Sequence, residues 1–396
     1  MMDSGIVLGM SAPRAIGVLP VMSIVLTGLA SAAIIVAMPG LLAGMSSNIG
    51  LTDSEIALIT SSEMGGTTVT TLFVAAWLSR LDRRKAALVG LVLIILANLL
   101  SAYATTFLTL IVARFIAGLA AGALQGILSA SIAVTPIPDR IFAIYLTANL
   151  TATTVMLALL SRLSAIGHPQ WLFMSVVTLA TLAILLLRWL PTGVAALQPK
   201  AEKITKPGHG YGLSALLGTF ILLVGVGLTW PLVGVLGLDR DMSGEAVANA
   251  LSLATIGGIA ASLLVSAVGD RAGRRLPISA GAAGLSIAVL IFVFDSGRTS
   301  FAAAAFVFMF CWVLILPYCA GLVATIDPSG RLSVLWVTMQ FAGLATGPII
   351  AAGLLPSSAD LPFYGSFMCF GIAAALTLYA ERGSRSAPEI LENPVS

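Results

Sequence analysis

The sequence predicts an all-α membrane protein of twelve spanning helices in two pseudo-symmetric six-helix bundles. Three observations carry that expectation. Only 9% of the 396 residues are charged while 58% are hydrophobic, against about 25% charge in a water-soluble domain, so hydrocarbon rather than water is the solvent this surface suits. Apolar runs of roughly 20 residues, long enough to cross a bilayer, recur twelve times between polar breaks. The cations flanking those runs are distributed one-sidedly.

The runs lie at 16–44, 54–79, 86–104, 107–132, 140–163 and 169–190, and then at 211–237, 244–268, 276–295, 299–324, 333–356 and 361–381. The first follows Arg14 and exceeds the apolar core of a signal peptide, so it reads as a retained helix. With both termini cytoplasmic, 16 of the 20 Lys and Arg fall on cytoplasmic segments. Three (Arg162, Arg240 and Arg298) fall on the other side, and Arg114 lies inside a span. An odd number of helices before any of these loops would scramble that split, so the positive-inside rule supports the count as well as the orientation. The 39 glycines suit helices that must approach closely in lipid. Residues 191–210, with three prolines and three lysines, read as a flexible cytoplasmic linker. The expected organisation is a bundle at 1–190, the linker, a second bundle at 211–382 and a cytoplasmic tail at 383–396.

The halves repeat a signal. A basic loop, Ala76 to Lys85, joins the second and third runs, and another, Ser266 to Arg275, joins the eighth and ninth, 190 residues later. Gly269, Asp270, Arg271, Gly273 and Arg274, with Arg275, resemble the G-x-L-A-D-R-x-G-R-R loop of the major facilitator superfamily, with Ser266 at its first glycine. The first copy departs further: Ala76 stands at the first glycine, Arg80 at the aspartate and Arg83 at the second glycine, with Asp82 displaced by two positions. Arg114 followed by Gly118 and Gly122 resembles that superfamily's fourth-helix motif, frequent in proton-coupled members, while the fifth-helix Pro-Gly signature of drug antiporters is missing from 140–163. The resemblance implies two six-helix bundles that move a solute by alternating access, with Asp82, Arg83 and the second loop forming a cytoplasmic gate. Charged side chains there meet the partial charges of helix ends, and ordinary positive-inside charge is the plainer reading of Arg83, Arg84 and Lys85.

Glu63 and Arg114 are the charges sunk in spans. Each costs about 3 kcal/mol there, so such groups are usually paired and face a cavity. Both lie roughly 12–15 Å below the outer face at 1.5 Å per residue, and in the fold that the chain resembles the second and fourth helices are neighbours. Glu63 is the proton-coupling candidate, because desolvation and a guanidinium act on its proton affinity in opposite senses. Two alternatives stay open: Arg114 holds an anionic substrate by its bidentate fork, or the pair statically orients two helices.

Candidates for a substrate cavity are Gln125, Asn149, Trp230, Asn249, Trp312, Tyr318 and Gln340, with Trp336. So few hydrogen-bonding side chains suit an amphipathic or hydrophobic solute, or a small organic anion, better than a free sugar. Hinge candidates are Gly225, Gly227 and Pro231, Pro317, and Gly343, Gly347 and Pro348, since proline removes a helix hydrogen bond and kinks the helix. Cys311, Cys319 and Cys369 lie in apolar runs without metal-ligand spacing. No P-loop, H-E-x-x-H or G-x-S-x-G motif occurs, so neither ATP drive nor an enzyme is expected, and no cofactor, metal or nucleic-acid partner. The expectation is a monomeric carrier in the bacterial inner membrane whose partners are protons, lipid and a small-molecule substrate, efflux being one direction it would serve. The alternative is a non-transporting sensor or accessory protein of the same fold.

Overall fold

The structure is a computed structural model that describes residues 16–77, 82–135, 138–192, 209–295, 297–327 and 331–389. Within them the chain forms twelve rods. The first is α1 (Val18–Ala32), a 3-10 turn at Ile35–Ala37 and α2 (Met38–Ile49). Next come α3 (Asp53–Trp77), α4 (Arg83–Ala102), α5 (Phe107–Ala133), α6 (Pro138–Ala165) and α7 (Phe173–Leu186), the last flanked by short 3-10 turns. The seventh rod is α8 (His209–Thr229), a turn at Trp230–Leu232 and α9 (Val233–Leu238). It is followed by α10 (Gly244–Val268), α11 (Arg275–Phe294), α12 (Arg298–Ile326), α13 (Arg331–Leu354) and α14 (Leu361–Glu389). Helix α14 runs seven residues into the stretch expected as tail. Most of the expected linker lies outside the described residues, as does Arg80.

Local chemistry sets the ends. Thr106 caps α5 by accepting from the Thr109 amide, Ser243 caps α10 by accepting from Ala246, and Asp82 caps α4 by accepting from Arg84 and Lys85. Both interrupted rods break beside a proline, Pro39 in the first and Pro231 in the seventh. The seventh break falls at an expected hinge, whereas Pro317 and Pro348 sit inside continuous helices. The first rod, expected as one helix over 16–44, is instead broken near its middle. Thr153 on α6 donates to the Ala33 carbonyl there.

Eleven of the twelve rods are long and apolar enough to cross a membrane, and α3 is the exception. It spans by its place in the bundle rather than by its composition, because its polar groups are spent inside the protein. Thr60, Thr67, Thr68, Thr70 and Thr71 each donate to a carbonyl one turn back. Ser61, Glu63 and Thr67 are buried. Around the outside, Val69, Leu72, Phe73, Val89, Leu96, Leu185 and Leu263 are exposed and form an apolar surface suited to lipid.

Each half packs through close helix pairs, α3 on α5 and α4 on α7 in the first, α8 on α14 and α10 on α12 in the second. The halves meet along α3 with α13 and α6 with α10, two contacts related by the pseudo-symmetry of the repeat. Ser54 donates to the Ala352 carbonyl and Ser61 to that of Ala345, while Thr154 and Thr255 share a hydrogen bond of 2.9 Å. On the side opposite the termini α2 packs against α9, so tightly that a Cβ on Gly234 would collide with the Pro39 carbonyl.

The α3–α5 contact is the tightest of these. A Cβ on Gly118 would sit 2.0 Å from the Glu63 carbonyl oxygen, and one on Gly122 2.5 Å from that of Thr67. Small residues let spanning backbones touch where lipid supplies no apolar drive. Gly65, one residue from the interface glycine Gly66, has open space around it. Gly118→Val should therefore lower the melting temperature of the detergent-purified protein by many degrees. Gly65→Ala should leave it unchanged or slightly raised, since alanine is the better helix former by about 1 kcal/mol. Equal effects at both positions would show that the contact does not matter.

Candidate functional site

The glycine contact positions a charge pair. It brings α3 against α5 at the depth where Glu63 and Arg114 project, and Arg114 Nη1 lies 3.3 Å from Glu63 Oε1 with both side chains buried. The guanidinium is fully inaccessible, and its Nε and Nη2 hydrogens are directed at α4. Nε donates to Ser101 Oγ at 3.1 Å and Nη2 to Asn98 Oδ1 at 3.2 Å, with the Ala97 carbonyl 3.5 Å away. The Phe173 ring stands 4.8 Å from the guanidinium carbon, in cation–π contact. Asn98 and Ser101 are fixed in turn by donating to the Ile94 and Ala97 carbonyls. Arg114 thus has neutral acceptors and a ring for its charge, and Glu63 as its ionic partner.

On its other side Glu63 borders a narrow cavity between the halves, with about 30 Å³ open to water. The first half contributes Ile35, Met38 and Pro39 from the break in the first rod, with Thr60, Glu63 and Met64 from α3. The second contributes Gly227, Trp230 and Pro231 from the break in the seventh, with Trp312 and Leu344. The two interrupted rods therefore supply corresponding parts of the wall. Arg114 is not in that wall; it lies behind Glu63, against α4.

The aromatic wall is ordered. Trp230 stacks on Phe308 with centroids 5.8 Å apart and planes 12° from parallel, and meets Trp312 edge-on at 6.2 Å. Both indole nitrogens are buried, and among the described residues neither has a hydrogen-bond partner. A buried donor left unpaired costs about 1–3 kcal/mol. Two at one cavity is unusual, because nearly all buried polar groups are satisfied.

Of the expected cavity residues, the structure brings Trp230 and Trp312 together with Glu63 and places the others elsewhere. Gln125 reaches Tyr145 at 3.5 Å. Asn149 is half-buried with an unpartnered side-chain oxygen, Gln340 is half-buried and Asn249 is exposed. Tyr318 donates to the Gly269 carbonyl, and Trp336 donates to Thr219 and so ties α13 to α8. Sequence reasoning missed Asn98 and Ser101, and also Thr60 and Pro39. The polar residues Asn98 and Ser101 inside an apolar run are the available signal for the first two, and Pro39 within a span is the signal for the break.

The expected gate loops lie on the side of the termini. Asp82 is spent as the α4 cap. Arg83 donates to the Ala130 carbonyl near the end of α5, and Arg84 makes two bonds to that of Leu190. In the second loop Gly269 and Gly273 have φ of 52° and 62°, a conformation that disfavours any side chain, which accounts for glycine at those two places. Arg274 donates to Thr325, and Arg275 pairs with buried Glu381. Arg271 is exposed, and the Asp270 side chain lies outside what the structure describes. Each of these bonds joins a loop to its own half.

Comparison with known proteins gives a consistent frame. The family model of the Major Facilitator Superfamily matches residues 21–211. A crystal structure of the nucleoside transporter NupG superposes with a TM-score of 0.68 at 13% identity, covering 96% of this chain and 100% of that one. A crystal structure of a mutant of the same transporter gives a TM-score of 0.72 at 12% identity, covering 93% and 99%. The partially occluded inward open conformation of the xylose transporter XylE from E. coli superposes with a TM-score of 0.69 at 14% identity, covering 91% and 96%. At such identities the likeness is one of fold. No curated protein matches the sequence.

The geometry sets an asymmetry between the two charges. Arg114→Met strands a buried carboxylate, whereas Glu63→Gln leaves the guanidinium with Ser101, Asn98 and Phe173. Arg114→Met should therefore destabilise the protein by about 3 kcal/mol or more, and the double variant Glu63→Gln, Arg114→Met should recover most of that loss. A melting series on the four proteins measures the coupling, and additive effects would show that the pair is not energetically linked.

Proposed function

We propose that this chain, whose residues 21–211 match the Major Facilitator Superfamily model and whose fold is shared with transporters of known structure, is a proton-coupled carrier for a small amphipathic solute. The observation that carries the reading is the double attachment of Glu63, which holds Arg114 on one side and borders the inter-half cavity on the other. Protonation removes the ionic hold, and Arg114 keeps its α4 partners. The α3 helix, which also carries the Ser54 and Ser61 links to α13, then repacks against the second half. Proton occupancy is thereby linked to which side of the membrane the cavity faces. Direct capture of an anionic substrate by Arg114 is less well supported, since Glu63 stands between it and the cavity. The α2–α9 contact supports a state closed on the side opposite the termini, and the cation split supports the termini side as cytoplasmic, in a bacterial inner membrane. One chain holds both halves and the cavity, so the monomer is the working unit.

The cavity wall offers Thr60, Glu63 and two indoles for hydrogen bonding in an otherwise apolar lining. That composition supports an amphipathic solute over a sugar, whose hydroxyls each need a partner.

Reconstituted into liposomes carrying an internal pH-sensitive dye, the protein should move protons when amphipathic heteroaromatic probes are added under an imposed pH gradient. Glu63→Gln should lose proton movement and gradient-driven accumulation while still exchanging probe across the membrane. Full gradient-driven accumulation by Glu63→Gln would exclude Glu63 as the coupling site, and no flux of any probe by the wild type would favour a non-transporting sensor.

A further inference from the structure

We infer that the solute this cavity takes is a flat, apolar-bodied molecule with hydrogen-bond acceptors on the edge facing the second half and a donor on the edge facing Glu63. The inference rests on the carrier reading for its purpose, but its evidence is separate. The second half lines the cavity with Trp230 and Trp312, whose indole N–H groups are closed off from water and have no partners among the described residues, so they are donors free to bond when the cavity opens around a ligand. The first half presents a carboxyl group, one of whose oxygens is engaged by Arg114. Indole nitrogen donates only, and an ionised carboxylate accepts only. The two sides of the cavity are thus complementary to opposite edges of one ligand. Between them the wall is Ile35, Met38, Pro39, Met64 and Leu344, which offer contact area, with the hydroxyl of Thr60, whose hydrogen is spent on the Ile56 carbonyl.

The Trp230 ring is held from behind by Phe308 and at its edge by Trp312, so its N–H is presented by a rigid group. A ligand meeting both indoles and Glu63 ties the halves together across the cavity, which couples occupancy to closure. A static packing role for the tryptophans does not call for unpaired donors, since apolar side chains could pack there without orphaning a polar group.

Three probes with the full-length protein in lipid nanodiscs test this. Quinazoline-2,4-dione has two carbonyl acceptors, ring N–H donors and a two-ring body. Naphthalene has the body alone, and xylose has hydroxyls without a flat apolar body. Binding is read by thermal shift and by titration of intrinsic tryptophan fluorescence. The dione should bind saturably, with naphthalene and xylose at least ten-fold weaker. Trp312→Phe and Trp230→Phe should each weaken the dione about five-fold, the worth of one net hydrogen bond, and leave naphthalene unchanged. Trp312 is partly exposed, so its replacement keeps the test informative if Trp230→Phe does not fold. Equal binding of dione and naphthalene, equal losses for both in the variants, or no saturable dione binding would overturn the assignment. The indole pattern without proton-linked flux would leave this assignment standing and sink the carrier reading. Proton-linked flux that Trp312→Phe does not alter would do the reverse.

Discussion

A carboxylate and a guanidinium that meet inside hydrocarbon constrain everything around them in the first half. Either charge without a partner would cost about 3 kcal/mol or more at that depth, so α3 and α5 must hold register, and they do so by backbone contact at Gly118 and Gly122. The remaining hydrogens of Arg114 must be satisfied, and Asn98 and Ser101 bring α4 into the same unit. Phe173 closes the fourth side from α7. One ion pair thereby organises four helices, and α3 can do without the long apolar stretch of the other eleven rods because its polar groups are consumed by this arrangement and by its own carbonyls.

The two halves share a plan and divide its chemistry. Each has a rod broken beside a proline, and both breaks line the cavity. The first half brings charge to the site; the second brings aromatic rings and indole donors. On the termini side the first loop spends its arginines on carbonyls at the ends of α5 and the sixth rod, where partial negative charge collects. The second loop turns on two left-handed glycines and closes with Arg275 on Glu381. The degeneracy of the first loop therefore has a use: Asp82, displaced from the aspartate position of the motif, serves as a helix cap.

Architecture is legible because hydrocarbon imposes a length and a charge asymmetry that a single sequence displays, and eleven rods meet that standard outright. The depth argument also places Glu63 beside Arg114, since rise per residue is fixed in a helix. Rotation about each helix axis is less legible. Polar and aromatic types in a span do not say which face they occupy, so Tyr318 and Trp336 read like Trp230 and Trp312 although their polar atoms serve Gly269 and Thr219. Asn98 and Ser101 escape notice because neutral polar residues in a span carry a weak signal until a charge is found facing them. The break in the first rod escapes because Pro39 near the start of a helical segment is compatible with an unbroken span.

The claim at the centre is that the Glu63 carboxyl exchanges a proton in response to the cavity. Infrared difference spectroscopy of the reconstituted protein observes that carboxyl directly, with its C=O band assigned by its loss in Glu63→Gln. The account predicts a protonated carboxyl band that grows as pH falls and changes when the cavity is filled. A Glu63 carboxylate signal indifferent to both pH and ligand would mean that the pair with Arg114 is a fixed strut, and the proton would have to travel by another route.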